Sequence, residues 1–206
     1  MVSQSLFPAR FVDEPTGARR AWTLRVLRIG SLIQVAFAGL WLGRGALATG
    51  WAWRGPLIAV FALTALVVAF VGTRATGGVA PRPSGPSAAA IERAVTIATI
   101  VQLAASFALP VVVSALGRPD LVLPVVVGTV GVLLLWFRRR LDVPRYGLVG
   151  VALSLGPVAL AVALQGDALT ASTGLVGGVI LLATAALGLR DLQRESNSPD
   201  ASPRAR

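Results

Sequence analysis

Residues 94–116 read AVTIATIVQLAASFALPVVVSAL, a run of 23 residues without one formal charge. A bilayer core of about 30 Å is crossed by about 20 predominantly apolar residues in a helix. With no water at that depth, each backbone donor and acceptor must be satisfied inside the segment, which a helix does by itself. A barrel strand would be about half as long and would alternate apolar with polar residues. This run does neither, so it reads as a transmembrane helix.

Five further windows carry the same signature: 29–48, 55–73, 121–137, 146–164 and 168–189. Arg44 is the one formal charge inside any of them. Short turns at 50–54, 117–120 and 165–167 join first to second, third to fourth and fifth to sixth. The expected fold is therefore all-α, a polytopic transmembrane bundle of six helices forming three antiparallel hairpins. Composition agrees: 14% of the 206 residues are charged, against roughly 25% in soluble domains, and mean hydropathy is +0.75.

Two polar segments flank this domain, residues 29–189, and a third, expected in the cytoplasm, interrupts it. Residues 1–28 form a basic N-terminal segment. Residues 74–93 contain a Gly-, Pro- and Ser-rich stretch that cannot build a packed core and reads as a flexible linker. Residues 190–206 read as a disordered tail. Pro56 is expected to open the second helix, where its missing N–H costs nothing.

All 19 basic residues are Arg, and threading six spans puts sixteen of them on the side of the termini and three (Arg44, Arg54, Arg118) on the other. Basic residues in short loops stay in the cytoplasm, so both termini are expected there, in a multi-pass protein of the cell membrane. Trp22, Trp136 and Tyr146 then fall at cytoplasmic ends, and Trp51 and Trp53 at the opposite face, levels that indole and phenol rings prefer. Trp41 lies deeper in the first span. The net charge of +10 is accounted for by this asymmetry without nucleic acid. Anionic lipid headgroups are the expected partners, contacted by Arg138, Arg139, Arg140 and Arg145. A rival reading, cleavage after the small residues Ala46 and Ala48, conflicts with an apolar stretch longer than the roughly 7–15 residues of a signal core.

Much chemistry is excluded by composition. The chain has no His and no Cys, and no Lys among its basic residues. General bases near neutral pH, thiolates, Schiff bases and P-loop lysines are thus missing. No Asp or Glu lies inside the six windows, where proton relays and cation sites are usually marked. Glu92 reads as a helix-start acid, Asp142 as a counter-ion among arginines, and Asp120 and Asp167 as turn residues. No catalytic residue, cofactor or metal site is expected, and the chain is not expected to be an enzyme.

One intramembrane polar site stands out. Thr99, Gln102 and Ser106 follow helical spacing, and Pro110 frees a backbone carbonyl one turn earlier. Gln102 lies about 12 Å along the helix from Ala94, near mid-depth, and Ser154 sits at similar depth on the fifth span beside Gly156 and Pro157. Packing residues are plentiful: Gly39 with Gly43, Gly174 with Gly178, Gly128 with Gly131, and Gly147 with Gly150. Such pairs let helix backbones approach within one chain or between copies or partner proteins, the first use being expected in a six-span bundle. Arg44 is expected to snorkel to headgroups.

The stretch GVLLLWFRRRLDVPRYGLVG, residues 131–150, resembles a segment of an uncharacterised family of small bacterial six-span membrane proteins. In that family a span ends in a basic turn containing Pro, and aromatic residues with a Gly open the next. Gly131, Arg139, Pro144, Tyr146 and Gly150 fit the pattern, while Leu133 and Trp136 stand where the family has His and Pro. The resemblance implies architecture and no activity.

Two function classes follow. One is a non-enzymatic membrane component, an accessory or regulatory subunit. The other is a passive or weakly coupled transporter of a neutral or apolar solute, with Gln102, Ser106 and Ser154 on its path. A hydrated cavity at Gln102 would favour transport, and a dry, closed bundle the accessory class.

Overall fold

A computed structural model of the chain describes residues 16–74, 86–141 and 144–196. Of these, 94% are helical and none is in a strand. The elements are α1 (Thr16–Leu47), α2 (Trp51–Arg74), α3 (Pro86–Ala115), α4 (Val122–Leu141), α5 (Pro144–Ala163) and α6 (Gly166–Ser196). A 3-10 turn, Pro119–Leu121, leads into α4.

Among the described residues, four helical stretches are long and apolar enough to cross a membrane: Glu92–Ala115, Pro119–Arg139, Arg145–Ala163 and Gly166–Asp191. The apolar part of α2, Ala52–Val67, is shorter. In α1 the apolar run is interrupted by Gln34 and Arg44. Helix also extends beyond the expected span limits. Residues 16–28, 86–93 and 190–196 are helical rather than terminal segment, linker or disordered tail, because the intrahelical ladder continues into water wherever nothing breaks it. The Gly- and Pro-rich core of the expected linker, 77–85, and the tail beyond 196 lie outside the described residues. Pro56 sits inside α2, since that helix already starts at Trp51.

The turns have clear local causes. Gly117 holds φ +75, a conformation that costs an L side chain about 1–2 kcal/mol. Its N–H bonds to the Ser114 carbonyl at 3.0 Å and the Arg118 N–H to the Val113 carbonyl at 3.1 Å. This paired closure satisfies the last carbonyls of α3. Asp120 accepts from the exposed Arg118 guanidinium at 3.1 and 3.2 Å and from the backbone N–H of Gly166. The α3–α4 and α5–α6 turns are therefore joined at one end of the bundle.

The expected hairpin partners do touch, but the two most extensive interfaces join α1 to α6 and α4 to α5. Packing follows those two pairs instead of three hairpins, and the reason is steric. A Cβ on Gly174 would lie 2.5 Å from the Trp41 carbonyl oxygen and 2.7 Å from the Gly45 Cα, and one on Gly178 would meet Leu42. Near the other end, a Cβ on Gly188 would lie 2.6 Å from Ser31 Oγ. Thus α1 and α6 run antiparallel with their backbones nearly in contact. In the α4–α5 pair, Gly131 faces the Ser154 backbone nitrogen and Gly150 faces the Gly131 carbonyl. The core between these pairs is built from Ala38, Trp41, Leu42, Val127, Leu153 and Leu181, all buried. Trp41 is only 3% exposed, so it is a core residue packed on Gly177 and Val127 and takes no interfacial role.

The glycines divide unevenly. Gly174, Gly178, Gly131 and Gly150 serve intrachain packing, as expected. A Cβ at Gly39, Gly43 or Gly128 would meet nothing within 4 Å. Of the four long apolar stretches, the one in α3 is the least embedded: 6% of its window is buried, against 56% in α6. Its main neighbour is α4.

Candidate functional site

Because α3 packs chiefly on α4, and α5 covers the other flank of α4, a groove of about 790 Å³ runs between the three helices. Its floor runs from Leu121 of the 3-10 turn along α4 to Trp136, and its walls carry Val101 and Ala105 of α3 and Pro157 and Ala161 of α5. The rim residues Val101, Val132 and Val158 are exposed, so the groove opens sideways. Its lining is apolar except for Gln102, Thr129, Ser154 and the Trp136 indole edge. The volume lies within the roughly 300–1,000 Å³ of small-molecule sites.

Gln102 anchors the α3 side. It is buried, and its Nε2 donates to Thr129 Oγ1 at 2.9 Å and to Ser106 Oγ at 3.1 Å. The Thr129 hydroxyl spends its own proton on the Val126 carbonyl at 2.8 Å. It can therefore only accept from Gln102, which fixes the orientation of the amide. This network is the polar link between α3 and α4, two helices that lipid would not otherwise drive together. The expected partners separate. Ser106 belongs to the network, but Thr99 is exposed and donates to the Val95 carbonyl of its own helix at 2.8 Å. The contact face of α3 runs through Ala98, Gln102 and Ala105, and Thr99 stands on its flank. Ser154 lines the groove from α5, yet its Oγ is buried beside Gly131 with no hydrogen-bond partner. Thr129, the residue that holds Gln102, is missing from the sequence-based set. Its helical register with Leu121, Val125 and Val132 was the available signal.

A second polar cluster lies at the Arg145 end of the bundle. Arg145 Nη1 forms an ion pair with Asp191 of α6, and its guanidinium carbon is 5.8 Å from the Tyr146 ring centroid. Tyr146 is buried and hydrogen-bonded with Gln34 of α1. Ser31 and Gly188 complete the cluster, which ties α1, α5 and α6 together. Arg145, expected among the headgroup contacts, is thus paired within the protein, because α6 continues past its expected span and delivers a carboxylate. Of the other three arginines, Arg138 packs over Gly147, Arg139 is exposed, and the Arg140 side chain lies outside the described residues. Among the described residues, no three His, Cys, Asp or Glu side chains converge.

Compared with known proteins, the chain matches no family model, no curated protein and no solved structure.

Proposed function

We propose that this chain is a non-enzymatic component of the cell membrane that receives the apolar part of a membrane-dissolved molecule in the groove between α3, α4 and α5. The observation that carries this reading is the groove itself: apolar, open sideways, and braced by the Gln102–Thr129 hydrogen bond. A sideways apolar opening favours lateral entry from lipid over passage of a hydrated solute, so binding is preferred to transport. The absence of His, Cys and Lys supports the non-enzymatic part.

Gly128 provides the test. It lines the groove, and a Cβ there meets nothing within 4 Å, so Gly128→Leu fills the space without disturbing the bundle. A photoactivatable alkyl probe in proteoliposomes should label Val132 several-fold less in Gly128→Leu. Labelling of Leu63, exposed on α2, should stay the same. Equal labelling of Val132 in both proteins would remove the groove as a binding site.

The proposal also takes all six helices as spans, with both termini cytoplasmic. The charge asymmetry supports this orientation, and the shared end of the α3–α4 and α5–α6 turns supports the up-and-down threading of those four helices. The chain has no native Cys, so single substitutions report cleanly. Gly50→Cys should react with a membrane-impermeant maleimide on intact cells, and Ala201→Cys only after permeabilisation. The reverse pattern would invert the topology.

A further inference from the structure

We propose that the occupant of the groove is an anionic lipid, with one acyl chain lying along α4 and its headgroup held by Arg139. This rests on the groove reading above and names the ligand class.

The first support is register. From Leu121 in the 3-10 turn, the groove floor follows one stripe of α4 through Val125, Gly128, Val132 and Trp136, and Arg139 continues that stripe at the next i+3 step. From Leu121 to Trp136 the stripe is about 22 Å long at 1.5 Å per residue. That exceeds the roughly 15 Å depth of one leaflet, so a chain entering at the Arg139 end finds apolar wall along its whole length. Trp136 stands one turn before Arg139, at the level where indole rings meet headgroups.

The second support is charge. Arg138 is folded over Gly147 and Arg145 is paired with Asp191. Arg139 is exposed and makes no ion pair with a described residue. Of the described basic side chains it is the one in register with the groove floor, in a chain of net charge +10. Between protein and lipid the chain region provides little hydrophobic driving force, because acyl tails are as apolar as the groove wall. Selectivity must then come from the headgroup. One nearby Arg contributes about 1 kcal/mol toward an anionic lipid, a preference of about fivefold.

The experiment uses the full chain in phosphatidylcholine bilayers doped with chain-brominated phosphatidylglycerol or, separately, chain-brominated phosphatidylcholine. Quenching of Trp136 is taken as the difference between the wild type and Trp136→Phe. The brominated anionic lipid should quench Trp136 at about fivefold lower mole fraction than the zwitterionic one. Arg139→Gln should abolish that preference and keep quenching by both. Gly128→Leu should weaken quenching by both. If Arg139→Gln keeps the preference, or the wild type has none, the headgroup assignment is overturned while the groove stands. If Gly128→Leu changes neither lipid's quenching, the groove reading itself fails, and this one with it.

Discussion

Gly174→Ala is expected to lower the stability of the bundle by about 2–3 kcal/mol, the upper part of the range for an added group in a packed core. The new Cβ would sit 2.5 Å from the Trp41 carbonyl and 2.7 Å from the Gly45 Cα. Both are backbone atoms, so neither can rotate away as a side chain would. Relief requires α1 and α6 to separate, and that is the most extensive interface in the protein. Gly39→Ala is the matched control, with open space around its Cβ. It should be neutral or slightly stabilising, since Ala is the better helix former. Reversible unfolding in mixed micelles measures both. Equal losses for the two variants would contradict the α1–α6 packing described above.

The second large effect is expected at the Arg145–Asp191 pair. Its side chains are 20% and 29% exposed, so it is neither a fully buried pair nor a solvated surface pair. Removing one partner from a buried pair costs about 3–5 kcal/mol, whereas exposed pairs contribute about 0–1 kcal/mol. An intermediate coupling of about 1–2 kcal/mol is expected in a double-mutant cycle of Arg145→Ala and Asp191→Ala. Asp191→Ala also leaves the guanidinium, whose Nε already lacks a partner, with less compensation. Additivity of the two substitutions would mean that the pair carries no energy and that the three-helix cluster is held by Ser31, Gln34 and Tyr146 alone.

The two polar places differ in how far local sequence exposes them. Gln102 was visible because an amide in a charge-free run must find a partner, whatever surrounds it. Its partner Thr129 was not, because hydroxyl residues in helices are commonly satisfied by their own backbone, as Thr99 and Thr64 are here. By local sequence Asp191 belongs to a polar tail. Its role depends on α6 running straight past the end of its span, and nothing local distinguishes a helix that continues from one that frays. Arg145 was grouped with Arg138, Arg139 and Arg140 by proximity in the chain. Tertiary contact separated it from them.

From the chain alone came the helical class, the position of the four apolar spans and the asymmetry of charge. These follow from a backbone that must satisfy itself where water is absent, and from the cost of taking a guanidinium into lipid, and both hold regardless of neighbours. Which helices pair was decided only in three dimensions. Gly39–Gly43 and Gly174–Gly178 share the same local spacing, yet one faces open space and the other receives Trp41, Leu42 and Gly45. In lipid, helices associate through shape and hydrogen bonds, with little contribution from apolarity, and complementarity of shape is a property of two surfaces together.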